Sequence, residues 1–414
     1  MSTSGTTISP PSEPEDTVEP PERTSLPALF LVFLRLGLTS FGGPIAHLAY
    51  YREAFVVKRR WLDERGYADL VALCQFLPGP ASSQVSFAVG ILRGGLPGGV
   101  LAWLAFTGPS ALLLIAFAWG LAESSQGAGW LHGLKLIAVA VVAQAVWGMA
   151  RNLCPDRERA TIAGIAAVAV ILWQTNLTQI AVIMLGAAAG ALLLRDKAPA
   201  PGPAVGFPIG RRSAWTALAL FTAFLVGLPF FGSTQPTLLS VADAFYRTGA
   251  LVFGGGHVVL PLLQTEVVDP GWVTSDAFLA GYGAAQAVPG PLFTFAGYLG
   301  MVVAPNGAAL APPILTALVA VVAIFLPGLL LVVGTLPFWN DLHNEPHAQA
   351  VLLGVNAAVV GLLGAALYDP IWISAVRGPL DFAIALTAFL ALQVWRAPVW
   401  AVVAATAVAG SILL

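Results

Sequence analysis

Pro78-Gly79-Pro80 and Pro289-Gly290-Pro291 stand inside otherwise apolar sequence, each with a glutamine shortly upstream, Gln75 and Gln286. Proline removes a backbone donor and its ring collides with the preceding turn, so no helix continues through Pro-Gly-Pro. Apolar runs of roughly 17–25 residues recur along the chain, each long enough to cross a bilayer. In lipid, a broken helix bares N–H and C=O groups, which is tolerated only where protein or a water-filled cavity meets them. Two such breaks in corresponding halves of a chain point to the binding site of a transporter.

Composition puts the chain in the membrane. Of 414 residues, 57% are hydrophobic and 10% charged, whereas a soluble domain carries about a quarter charged. The lipid bilayer is therefore the first partner. The net charge of −2 and the absence of a basic patch interleaved with aromatics give no nucleic-acid signal. Cys74 and Cys154 are too few and too apolar in setting for a disulfide framework or a metal site, and read as packing residues. Residues 1–25 are polar, proline-rich and acidic (Glu13, Glu15, Asp16, Glu19, Glu22), unlike a signal peptide, and are expected to be disordered.

An internal duplication organises the remainder. Phe33-x-Arg35-x-Gly37-x-x-x-Phe41-Gly42-Gly43 returns as Phe245-x-Arg247-x-Gly249-x-x-x-Phe253-Gly254-Gly255. Trp61, Gln75, Pro78, Gly79 and Pro80 return in order as Trp272, Gln286, Pro289, Gly290 and Pro291, and Gly133-Leu134-Lys135 falls against Gly354-Val355-Asn356. Matching order in glycine, proline, tryptophan and arginine marks a repeat. The predicted units are an N-terminal repeat at 26–195, a linker with one inverting helix at 196–240, and a C-terminal repeat at 241–414.

Charge sets the orientation of the two copies. The loop after the first Gly-Gly break holds Arg52, Lys58, Arg59, Arg60 and Arg65, whereas its counterpart, Leu262–Asp276, holds only Glu266, Asp269 and Asp276. By the positive-inside rule the first loop is cytoplasmic and the second lies outside. Arg93, Arg151–Arg159 and Arg195–Arg212 all fall inside only if each Pro-Gly-Pro segment enters the membrane and returns to the same face. The expected fold is an all-α polytopic membrane protein of two inverted repeats, with broken or re-entrant helices at the Pro-Gly-Pro and Gly-Gly breaks. Between about nine and thirteen full crossings are compatible with this pattern.

The breaks also carry the candidate chemistry. A helix that restarts within the membrane presents free N–H groups and partial positive charge. Ser82 and Ser83 follow the first Pro-Gly-Pro and Thr294 the second, so hydroxyls join those amides as donors for an oxyanion. Gly42, Gly43, Gly254 and Gly255 allow close backbone approach to a ligand. Arg35, Lys135 and Arg247 lie in apolar sequence, where a charge costs at least about 2.5–3.5 kcal/mol and so faces a cavity or a partner. Cations without central carboxylates point to an anionic substrate; snorkelling or a structural ion pair is the plainer alternative for each. Asn356 is the polar counterpart of Lys135. His47 and His257 follow the Gly-Gly breaks out of register, and read first as packing residues.

These motifs resemble the chromate ion transporter family in its long, two-domain form. The resemblance is carried by Phe41-Gly42-Gly43-Pro44 after Arg35-x-Gly37, by Gln75-Phe76-Leu77-Pro78-Gly79-Pro80, by Phe253-Gly254-Gly255-Gly256-His257 and by Val288-Pro289-Gly290-Pro291. It covers residues 26 to 414 and implies an inner-membrane exporter of chromate that confers chromate resistance, with sulfate as structural mimic. The residues alone leave open a passive channel for oxyanions, or a carrier of sulfate. No G-x-x-x-x-G-K-[ST] motif is present, so the energy is expected from a gradient or a partner. No paired carboxylates or nucleophile–base set sits in the apolar segments, which argues against an enzyme, and no cofactor is implied. Glycine-rich helices such as Ala181–Ala191 can pack within one chain or between two copies, so a homodimer stays open.

Overall fold

The computed structural model describes residues 24–123, 128–173, 175–197, 209–231, 236–253, 256–303, 312–339 and 345–413. Residues 1–23 of the expected acidic tail, much of the linker, and Gly254 and Gly255 lie outside the described residues; Thr24 and Ser25, expected in the disordered tail, instead lead into the first helix. Among the described residues all regular structure is helical. Five helices are long and apolar enough to cross a membrane: Ala81–Gly120, Gly129–Leu153, Arg211–Phe231, Pro313–Phe338 and Pro346–Ala375. Shorter apolar helices accompany them.

In the first half, α1 (Leu26–Thr39) stops at Ser40, and α2 (Gly43–Tyr51) restarts beyond it and runs into a π-helical stretch, Arg52–Lys58. The helix α3 (Glu64–Phe76) begins where the Asp63 side chain accepts the Gly66 N–H at 2.8 Å and ends at the first Pro-Gly-Pro. Beyond it, α4 (Ala81–Glu123) folds into two legs at Gly95, the one residue inside it with non-helical angles. Next come α5 (Ala128–Leu153), α6 (Arg157–Leu172) and α7 (Asn176–Leu193), then α8 (Arg211–Gly227).

The second half repeats this order. The helix α9 (Leu238–Leu251) leads to α10 (Val259–Val267), α11 (Ser275–Ala285), the second Pro-Gly-Pro and α12 (Phe295–Val302). Then follow α13 (Pro313–Thr335), α14 (Pro346–Ala366), α15 (Pro379–Gln393) and α16 (Val399–Leu413). Residues 262–267, expected in a loop, are helical instead, which folds Glu266 back toward α9.

Packing mirrors this order. The backbone of Gly37 on α1 lies against Ala105 and Phe106 of α4, and Gly249 on α9 lies against Ile324 of α13. On α5, Gly129 and Gly133 meet Thr406 and Gly410 of α16, while Gly186 and Gly190 of α7 meet Ala350 and Gly354 of α14. Each half thus lends its last helix to the other. Small residues permit this approach where apolar surface provides little drive between helices in lipid.

Polar contacts tie the ends together. Thr24 N–H donates to Arg93 O at 3.1 Å, and the Arg93 guanidinium lies 5.3 Å from the centre of the Trp61 ring. Those contacts hold the start of α1, the loop before α3 and the α4 kink at one end. Lys197 bonds Glu158 at 2.6 Å and lies 3.3 Å from Asp156, joining the end of α7 to the start of α6. The start of α5 is held by Lys135 Nζ on Asp276 at 2.6 Å and His132 Nε2 on Asp381 at 2.9 Å.

Candidate anion site

The two halves meet at their breaks. Gly79 N–H donates to Val252 O at 2.7 Å, and Gly290 N–H donates to Ser40 O at 2.9 Å. Each Pro-Gly-Pro is therefore bound to the residue that ends the first helix of the other half. The backbone explains why glycine stands there. Gly79 has φ 120° and Gly290 φ 101°, and a Cβ would come within 3.1 Å of Gly328 Cα in one case and 2.7 Å of Ser110 Oγ in the other. Gly328 and Ser110 each follow a proline inside a long helix, Pro327 on α13 and Pro109 on α4.

Polar side chains gather around this junction. His47 Nε2 is 3.1 Å from Ser40 O, the carbonyl that also accepts from Gly290, and His47 Nδ1 is 3.3 Å from Ser82 Oγ. A carbonyl accepts only, so Nε2 carries the proton and Nδ1 accepts from the serine. Gln84 Nε2 donates to Pro78 O at 2.8 Å, and Thr294 Oγ1 to Pro291 O at 2.7 Å. Ser40 Oγ, Ser83 Oγ, Thr107 Oγ1 and Gln286 Nε2 are buried with no hydrogen-bond partner among the described residues. Buried polar atoms are normally satisfied, and those left over near a functional junction call for a ligand or water.

The expected site residues divide by place. Pro78, Gly79, Pro80, Ser82, Ser83, Pro289, Gly290, Pro291 and Thr294 belong to the junction, and all but Pro78 and Gly290 are buried. Gln286 is half-buried beside it, Gln75 is exposed, and Gly42 and Gly43 flank the Ser40 break. Arg35 is exposed on α1 and lines a cavity of about 570 Å³ with Thr39, Tyr50, Glu53, Lys58 and Arg59. Lys135 and Arg247 hold carboxylates instead: Asp276 for the lysine, and Asp243 and Glu266, both at 2.9 Å, for the arginine. The expectation of an interior nearly free of acids does not extend to Asp243 and Glu266. Asn356 Oδ1 is buried and unpaired among the described residues. The carbonyls of Ser40 and Val252 carry no residue-type signal and so cannot be picked out from sequence.

Fold and junction define a multi-pass helical membrane protein whose two halves meet at broken helices. No solved structure matches it. By sequence the chain belongs to the chromate transporter family, whose profile matches residues 27–191 and 239–411, one segment in each half. It is similar to the chromate transport protein of Pseudomonas aeruginosa, 31% identical over 92% of this chain and 90% of that one. The probable chromate transport protein of Synechococcus elongatus is 30% identical over 83% and 84% of the two chains. The chromate transport protein of Cupriavidus metallidurans is 28% identical over 88% and 86%. This is a family of transporters, not of enzymes.

Proposed function

We propose that this protein is a secondary transporter that carries chromate, a sulfate-like tetrahedral dianion, out of the cytoplasm across the plasma membrane, and so confers chromate resistance. The reciprocal pair of bonds, Gly79 N–H to Val252 O and Gly290 N–H to Ser40 O, carries the reading. Two copies of one broken segment, inserted from opposite faces, bring their restarts together in the interior. The first turns after Pro80 and Pro291 offer N–H groups and partial positive charge to an anion. Ser82, Ser83 and Thr294 add hydroxyls, and Gln286 adds a buried amide N–H. The units are a first repeat over 26–195, an inverting segment over 196–240 and a second repeat over 241–414. Alternating access follows from rocking one repeat against the other about this junction.

The test is uptake of labelled chromate into everted membrane vesicles, with sulfate as competitor and an imposed ion gradient. Saturable uphill uptake that sulfate inhibits is expected. Flux that only ever runs downhill, at rates far above those of carriers, would make the protein a channel. Uptake of sulfate with no competition from chromate would change the substrate.

A further inference from the structure

The two repeat arginines stand in opposite electrostatic settings. Arg247 is held by Asp243 Oδ2 and Glu266 Oε2, both on its Nη2. At the matching positions the first half has Leu31 and, by the offsets of the two flanking motifs, Ala54 or Phe55. Arg35 therefore has neither carboxylate. It shares its cavity with Lys58 and Arg59, against a single acid, Glu53, which lies 3.3 Å from Lys58. Thr39 and Tyr50 add hydroxyls to the same walls, and Thr39 adjoins Ser40, whose carbonyl is bonded to the second Pro-Gly-Pro. The cavity thus lies between α1 and the basic loop, and Thr39 in its wall is one residue along the chain from the junction.

We infer that the Arg35–Lys58–Arg59 cavity is a capture site for oxyanion dianions on the cytoplasmic side, and that Asp243 and Glu266 deny the outer half an equivalent site. The inference rests on the transport reading and gives it an entrance. A cleft lined by one sign of charge raises the local concentration of its counter-ion and the rate of encounter. Three cations and one paired carboxylate leave net positive charge inside, which suits a dianion. On the other side the matching arginine is already paired with two carboxylates, so it offers an approaching dianion no free positive charge. Asp269 and Asp369, which line a second cavity beside α10, add negative charge there. α13, packed on α9, contributes no titratable group. A lipid phosphate is the other source of an oxyanion at such a depth, so the experiment must separate the two.

The full chain is reconstituted in liposomes of phosphatidylcholine alone, where no anionic headgroup competes, and initial chromate rates are read from each face. Lys58→Gln with Arg59→Gln should raise KM from the cytoplasmic face roughly tenfold, leave kcat within about twofold, and leave the outer KM unchanged. The difference from wild type should shrink as ionic strength rises. Asp243→Asn with Glu266→Gln should lower KM from the outer face. An unchanged cytoplasmic KM in the first variant overturns the inference, as does an effect that appears only once anionic lipid is added. If wild type carried no chromate, the transport reading would fall. Sulfate titrated into wild type and the first variant in neutral-lipid nanodiscs would then decide the capture site alone: weaker binding by the variant upholds it, and equal binding overturns it.

Discussion

At Gly290 the backbone has φ 101°, and a methyl group there would lie 2.7 Å from Ser110 Oγ. A non-glycine residue in the left-handed region costs about 1–2 kcal/mol, and the collision forces the loop off Ser40. Gly290→Ala should lower the initial rate of chromate transport at least about tenfold while the protein still inserts, and Ser110→Gly in that background should restore part of it. Gly79→Ala should behave alike, since its φ is 120° and its methyl would meet Gln84 and Gly328. These glycines were legible because glycine and proline act on their own backbone. Their partners Val252 and Ser40 were not, since a carbonyl acceptor is common to every residue type. Away from the junction, Arg159 holds the Asp156 carboxyl well below the usual carboxylate range. Its folded value is depressed, so the stability it gives is complete above the ordinary value near 3.9 and is lost as pH falls through the folded one. Asp156→Asn should therefore lower the melting temperature slightly at pH 7 and leave it nearly unchanged in strong acid, as thermal scans in detergent would show.

Helices exchange partners between the halves through small residues. Gly354 of α14 sits on the backbone of Gly186 and Gly190 of α7, and Gly133 of α5 sits on Thr406 of α16. No side chain fits at either contact without separating the helices. Overpacking costs about 1–3 kcal/mol, sometimes more, so Gly354→Leu and Gly133→Leu should each lower the thermal midpoint, and by similar amounts because the seams correspond. A large drop in one and none in the other would break that correspondence. The internal repeat pairs Gly133 with Gly354, but not with what each one touches. The helices themselves were legible from apolar runs and capping residues such as Asp63 and Asp156. The helical return of α10 was not, since Glu266 and Asp269 made that stretch read as an exposed loop. That reading hides Glu266, the second carboxylate on Arg247, while Asp243 lies one turn before it on α9; together they decide how that arginine differs from Arg35.

For the molecule as a whole, orientation carries the most weight. Thr24 and Trp61 both contact Arg93, which puts the start of α1, the basic loop and the α4 kink at one end. Trp339 Nε1 bonds Asp69 at 2.9 Å, so the end of α13 reaches the same side as the start of α3. Lys135 and His132, at the start of α5, meet Asp276 and Asp381 at the other end. The basic loop and the acidic stretch around residue 271 should then face opposite compartments, with the basic one cytoplasmic. Single cysteines test this in a background where Cys74 and Cys154 are replaced. Arg60→Cys should resist a membrane-impermeant maleimide in intact cells and react in everted vesicles, and Gly271→Cys should do the reverse. Both positions are on short, exposed connections, so labelling reports sidedness rather than burial. Reaction of both from one face would place the two repeats in the same orientation. The junction between Gly79 and Gly290 would then have to be explained without inversion, and the polarity argued from Arg35 and Arg247 would lose its physical basis.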